Sequence, residues 1–187
     1  IRQGRLSPAP SGRPQAFPWN TWPAEFARAA ACGFDCLEWL VTADRYGENP
    51  LGSDQGVEHI KALMVATGVR VTSLCADYLI AQPLVRLTEA DRSASIDRLE
   101  RLIERGAMIG VKTIVIPILE HGAIKSADDE AEMVAVLTRL SPHAARHGLR
   151  IGVEADLPAP ATRALMAKVS SPVLGVCYDV GNAVAAG

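Results

Sequence analysis

Helical stretches in this chain repeatedly close on a glycine and run straight into an apolar strand, and no other feature narrows the fold as far. Gly33 precedes Phe34, Gly68 precedes Val69, Gly110 precedes Val111 and Gly148 precedes Leu149. A glycine takes the left-handed backbone that ends a helix. A run as apolar as Val111 to Leu119 suits a strand covered on both faces. Residues 1–8 read as the tail of a strand that enters a Pro/Gly/Ser loop, Ser7 to Pro18. Helices are expected at Ala24 to Ala31 (Thr21 as N-cap, Pro23 in the first turn), from an Asp54 cap to Thr67, from Thr88 or Asp91 to Gly110, at Asp128 to His147 and at Ala161 to Val169. In the third of these, Ile96, Leu99, Leu102, Ile103 and Ala107 keep helical spacing. Strands are expected at Phe34 to Val41, Val69 to Ala76, Val111 to Leu119, Leu149 to Glu154 and Val173 to Asp179, and Thr42 to Gly52 is a loop.

Strands alternating with helices of this length imply a parallel α/β sheet with right-handed crossovers. A doubly wound sheet would place a Gly-rich phosphate turn after its first strand, and Gly4-Arg5-Leu6-Ser7 does not fit that pattern. A (β/α) barrel instead predicts polar chemistry at many strand ends. Here those ends carry Arg5, Glu38, Asp77, Glu120 with His121, Glu154 and Asp179. A chain of 187 residues, 49% hydrophobic and 21% charged, can bury one sizeable core. The Ser7 to Pro18 loop lies too near the start to separate domains, so residues 1–187 read as a single domain. About six strands are legible where a barrel has eight. With no Met at the start, the expectation is a piece of a longer barrel, about six strand-helix units in all. Its two open sheet edges favour association into a homo-oligomer.

Charge and composition exclude several classes. A formal net charge of -2 and a pI near 6.1 give no bulk attraction to nucleic acid or anionic membrane. No apolar stretch approaches the roughly 20 residues that span a bilayer. The polar start, Ile1-Arg2-Gln3-Gly4-Arg5, reads as no signal peptide. Cys32, Cys36, Cys75 and Cys177 read as reduced core thiols rather than zinc ligands, which fits a cytoplasmic setting.

The sharpest chemical signal is a pair of acids at the ends of two apolar strands, Glu154 after Ile151-Gly152-Val153 and Asp179 after Val176-Cys177-Tyr178. Two oxygen ligands on neighbouring strands can grip one hard divalent cation; singly, each acid could be a solvated loop residue. Glu38 beside Trp39 offers a carboxylate for hydroxyls and an indole for a ring face, or a solvated acid beside a core Trp. Glu120 and His121 could meet substrate or phosphate, or be ordinary loop residues. Arg5 could meet a phosphate or bridge structural acids, and Asp77-Tyr78 stands in the same balance. His59, His143 and His147 fall in helical stretches and read as structural, His147 through the helix dipole. Trp19 and Trp22 cover the site or pack on a helix.

Several motifs together resemble one family. Gln3-Gly4-Arg5-Leu6-Ser7-Pro8, Gln15-Ala16-Phe17-Pro18-Trp19, Gly33-Phe34-Asp35-Cys36-Leu37-Glu38-Trp39, Ile151-Gly152-Val153-Glu154 and Tyr178-Asp179-Val180-Gly181-Asn182 are similar to the xylose isomerase-like TIM barrels, and more narrowly to their sugar phosphate isomerase/epimerase branch. The resemblance implies one divalent metal at the carboxyl face, manganese first, with magnesium, cobalt or zinc as alternatives. It carries Glu154 and Asp179 over as metal ligands and Glu154 also as a candidate acid/base. Beside it, Glu38, Glu120, His121, Arg5 and Asn182 stand as the candidate substrate-binding residues. Family members would add a histidine and a second glutamate from later strands, so residues 1–187 alone are expected to bind metal weakly. The activity implied is epimerisation or isomerisation of a sugar or sugar phosphate through an enediolate. A polyol or inosose-type dehydratase is the alternative on the same barrel. A non-catalytic sugar-binding remnant is the alternative if the chain ends at Gly187. An apurinic endonuclease, which wants a histidine-rich cluster, fits poorly.

Overall fold

The computed structural model describes residues 1–8 and 16–181. Helices and strands alternate through them: α1 (Trp22–Ala31), β1 (Cys36–Leu40), α2 (Asp54–Thr67), β2 (Arg70–Cys75), α3 (Glu89–Met108), β3 (Thr113–Ile118), α4 (Ala127–Arg146), β4 (Arg150–Ala155), α5 (Ala159–Val169) and β5 (Leu174–Val176). The strands form one sheet in the order β1-β2-β3-β4-β5, with every neighbouring pair parallel. A doubly wound sheet reverses its order at a switch point. Sequential order without reversal is the course of a barrel wall.

The start of the chain joins that wall. Arg2 bridges Glu38 in parallel, the Gln3 N–H donates to the Glu38 carbonyl at 3.0 Å, and the Glu38 N–H donates to the Ile1 carbonyl at 2.8 Å. The pairing stops there because Gly4 turns the chain at φ +88°, a conformation side-chain-bearing residues rarely take. The buried Glu25 carboxylate on α1 fixes the turn by accepting from the Gly4 N–H at 2.8 Å and the Leu6 N–H at 3.2 Å.

The helix starts refine the expected caps. Ser53, not Asp54, caps α2, accepting from the Gly56 N–H at 3.0 Å; Asp54 is the first helical residue, where its charge meets the positive end of the dipole. Thr88 rather than Asp91 caps α3, and Ser126 caps α4. Gly68 closes α2 at φ +73°, its N–H donating to the Met64 carbonyl. Thr42 to Gly52, expected as plain loop, holds two short 3-10 turns, Tyr46–Glu48 and Pro50–Gly52.

Two faces of the sheet follow from alternation along each strand. Trp39, Leu74, Ile114, Ile151 and Leu174 share one register row, with Ile116 and Val153 beyond them. These face the helices: Trp39 is fully buried and meets Trp22 of α1 edge-on, ring centroids 5.4 Å apart. Each such buried aliphatic side chain is worth about 1.5–3 kcal/mol of transfer free energy. The inner face, turned away from the helices, carries Glu38, Ser73, Cys75, Thr113, Val115, Pro117, Gly152 and Glu154. A bulge decides its polar corner. Pairing steps from Leu37↔Val71 to Glu38↔Ser73, passing over Thr72, and so sets Ser73 opposite Glu38.

Candidate functional site

The inner face is polar where apolar strands bring charge together. Glu38 accepts from the Arg2 Nε–H at 2.8 Å through one carboxylate oxygen and from the Ser73 hydroxyl at 3.1 Å through the other. Partial burial of Arg2 works against its charge. The bond to Glu38 and the charges of Glu38 and Glu154 outweigh that and hold its pKa above the ordinary range. Burial pushes the Cys75 thiol well up, against the pull of Arg2 and with Glu38, Asp77 and Glu154 adding to the rise. Cys75 is therefore a neutral thiol, and the negative charge beside Arg2 belongs to the carboxylates.

Glu154 is buried within β4, one residue before that strand ends, and Asp179 follows β5 by three residues. Because β4 and β5 are parallel neighbours, both acids reach the same rim of the wall. Both line a cleft of about 730 Å³ with Asp156, Thr162, Arg163 and Tyr178. Cys177 lies on the same cleft, in the field of both acids. Burial first, then Glu154, raises its thiol pKa. One oxygen of Asp179 accepts from the Gly181 N–H at 2.7 Å, which fixes the carboxylate on its turn. The donors on offer are hard oxygens at the carboxyl end of parallel strands, and they suit a hard divalent ion.

The other sequence candidates separate. Glu38 belongs to the inner face. Asp77 begins the 3-10 turn Asp77–Ile80 after β2; burial raises its carboxyl pKa, Arg2 opposing and Glu120 adding to the rise. Its neighbour Tyr78 turns instead into the core, edge-on to Tyr46 at 5.0 Å. Glu120 and His121 are exposed in the 3-10 turn after β3, which sends Leu119 into the cleft. Glu120 sits there at φ +51°, and the His121 carbonyl accepts from the Arg86 guanidinium. Arg5 is exposed on the turn after Gly4, and the inner-face arginine is Arg2, which the sequence did not single out. The signal lay in strand length: a first strand ending at Gln3 would have made Arg2, not Arg5, its side-chain donor. Asn182 and Gln15 lie outside the described residues. Trp19 stacks near Phe17 at 4.6 Å and donates to Asp44 at 3.3 Å, while Trp22 is core.

The family described as the xylose isomerase-like TIM barrel matches residues 26–187. No curated protein sequence matches the chain. Solved structures share its fold. A xylose isomerase domain protein from Planctomyces limnophilus superposes with a TM-score of 0.69 at 19% identity, over 84% of this chain and 58% of that one. The 3-keto-D-glucoside 4-epimerase YcjR from E. coli gives 0.66 at 23% identity, over 87% and 64%. The IOLI protein with a bound zinc atom gives 0.68 at 20% identity, over 88% and 59%. The chain thus spans about three fifths of the length of these three structures.

Proposed function

The chain belongs to the xylose isomerase-like TIM barrel family, and from that premise we propose that it forms the metal- and base-bearing part of a sugar epimerase or isomerase. The observation that carries this is the meeting of Glu154 and Asp179 on one cleft at the carboxyl ends of β4 and β5. The Glu38, Arg2 and Ser73 cluster on the adjoining inner face adds to it. YcjR, named as a sugar 4-epimerase, and the IOLI protein with its zinc atom lend support from the fold.

Glu154 and Asp179 would hold a divalent ion, manganese by preference, through carboxylate oxygens. Such an ion supplies Lewis-acid polarisation of a sugar carbonyl, which acidifies the adjacent C–H. The protein's own groups do the rest. The carboxylate of Glu154 takes the proton from that carbon. An epimer forms when the same carbon takes a proton on its other face from a second acid opposite Glu154, while Glu154 keeps the proton it removed. Giving it to the neighbouring carbon, as a hydroxyl proton crosses to the old carbonyl oxygen, yields the aldose-ketose isomer; neither course changes the net oxidation state. Arg2 and Ser73 hold Glu38 in place, and Glu38 orients sugar hydroxyls. Arg163 on the cleft offers a guanidinium to a phosphate.

The test is solvent-deuterium exchange. With the full native chain and manganese, ketoses and their phosphates in deuterated water should gain deuterium beside the carbonyl, read by NMR. Glu154→Gln should slow exchange by about 10²–10⁴-fold. Exchange that survives Glu154→Gln unchanged, or its absence across the panel, refutes the proposal. Loss of water in place of exchange identifies a dehydratase.

A further inference from the structure

Glu104 in α3, and His143 and His147 at the end of α4, bring three donor atoms within 4.8 Å of one another. We propose that these side chains bind a divalent transition-metal ion of the zinc class. The place is remote from the cleft of Glu154. Helices α3 and α4 lead into β3 and β4, so their carboxyl ends lie at the amino ends of the strands, whereas Glu154 lies at the carboxyl end of β4. The proposal stands apart from the sugar chemistry and does not depend on it.

Spacing, distance and field agree on this assignment. In His143-Ala144-Ala145-Arg146-His147 the two imidazoles are four residues apart, which puts them on one helix face. Paired histidines at this spacing serve zinc in helical metal sites. Their ring centroids are 4.8 Å apart. The His143 Nε2 lies 3.3 Å from the Glu104 Oε1. Zinc bonds of about 2.0–2.1 Å in a tetrahedron put neighbouring ligand atoms about 3.3 Å apart. His143 is buried and so held in place, while Glu104 and His147 are exposed, which leaves an entry path and room for water as a fourth ligand. Glu104 lies near the carboxyl end of α3, and His147 is the C-cap of α4. The negative ends of two helix dipoles therefore favour a cation here. Two imidazoles and one carboxylate suit zinc, nickel, copper or cobalt better than magnesium or manganese.

The charges around His143 define what an ion must displace. Arg146 donates to the His143 Nδ1 at 3.0 Å, and a guanidinium has no acceptor, so this nitrogen carries the lone pair. The Nε2–H then points to the Glu100 carbonyl at 3.2 Å. Arg139, whose Nε lies 3.9 Å from the Glu100 carboxylate, is the next cation outward. For Nε2 to take an ion, its proton must pass to Nδ1 and Arg146 must swing away. Arg146 is thus an antagonist of the site, by position and by charge.

Calorimetric titration with zinc chloride tests this, on a Glu154→Gln/Asp179→Asn background that silences the cleft and on the wild-type chain. One equivalent should bind in the double variant, where the further substitutions are read, and wild type should show that event besides any binding in the cleft. His147→Ala and Glu104→Gln, both exposed and so neutral to folding, should each weaken that event by at least about tenfold. Arg146→Ala should tighten it, and excess magnesium should not compete. Unweakened binding in His147→Ala, no binding in either background, or weaker binding in Arg146→Ala overturns the proposal. A merely structural histidine pair would not answer to Arg146 in this direction.

Discussion

Removing the Glu38 carboxylate tests whether the inner-face cluster holds together as described. Glu38 accepts one bond from the Arg2 guanidinium at 2.8 Å and one from the Ser73 hydroxyl at 3.1 Å, and the two charged side chains are 22% and 21% exposed. A hydrogen bond between charged groups is worth about 1.5–3 kcal/mol, and a neutral donor adds about 0.5–1.5 kcal/mol. One-fifth exposure lets water screen the pair, so the lower half of the first range applies. Glu38→Ala should then cost about 2–3 kcal/mol, since it also strands a half-buried Arg2. For a domain of this size that lowers Tm by about 5–10 °C. Glu38→Gln keeps an acceptor for Arg2 and offers its amide to the Ser73 oxygen, so it should cost about 1 kcal/mol. Thermal and urea unfolding, each followed by tryptophan fluorescence, measure both variants. Combining Glu38→Ala with Arg2→Met should be less damaging than the sum of the two by about 1–2 kcal/mol. A Glu38→Ala shift below about 2 °C, or additive single effects, would show that the chain start does not pair with β1 as described.

Two further outcomes are expected. Because burial raises the Asp77 carboxyl, the unfolded chain loses that proton first, so the stability Asp77 contributes is full below its unfolded pKa and is lost as pH rises through the folded one. Asp77→Asn should therefore melt higher than wild type near neutral pH and alike at about pH 3, and a lower melting temperature at neutral pH would contradict the burial account. Cys32 is exposed, whereas Cys75 is buried with its thiol pKa pushed up. Iodoacetamide should accordingly label Cys32 in the native protein and reach Cys75 only after unfolding, and mass spectrometry showing early Cys75 adducts would refute the placement of β2.

Local physics makes most of the fold readable in the amino-acid order itself. Glycine at helix ends, Ser and Thr at helix starts and apolar strands buried on both sides all act within a few residues, so the succession of elements follows from the chain. The barrel, too, is legible, because strand-end acids are a statement about which end of a parallel sheet does chemistry. Glu154 and Asp179 fall to the same local logic, since β4 and β5 are joined by one short helix and lie side by side. Boundaries one residue off, such as Asp54 for Ser53, reflect two adjacent polar residues that are equally able to cap; the fold decides which one stays outside the helix.

What tertiary structure alone decided came from contacts between distant residues. Arg2 meets Glu38 across 36 positions, and only the end of pairing at Gln3 makes it Arg2 rather than Arg5. Ser73 faces Glu38 because a bulge skips Thr72, and a skipped residue leaves no periodic trace in the sequence. Asp77 and Tyr78 part company because successive side chains of the 3-10 turn after β2 lie about 120° apart around its axis. His143 and His147 could be placed on one helix face from their spacing, but Glu104 joins them only when α3 packs on α4. The sequence determined which elements form and in what order, because those forces are local. Which side chains share a cluster was left to the packing of strands and helices, because that depends on register, and register is a property of the whole sheet.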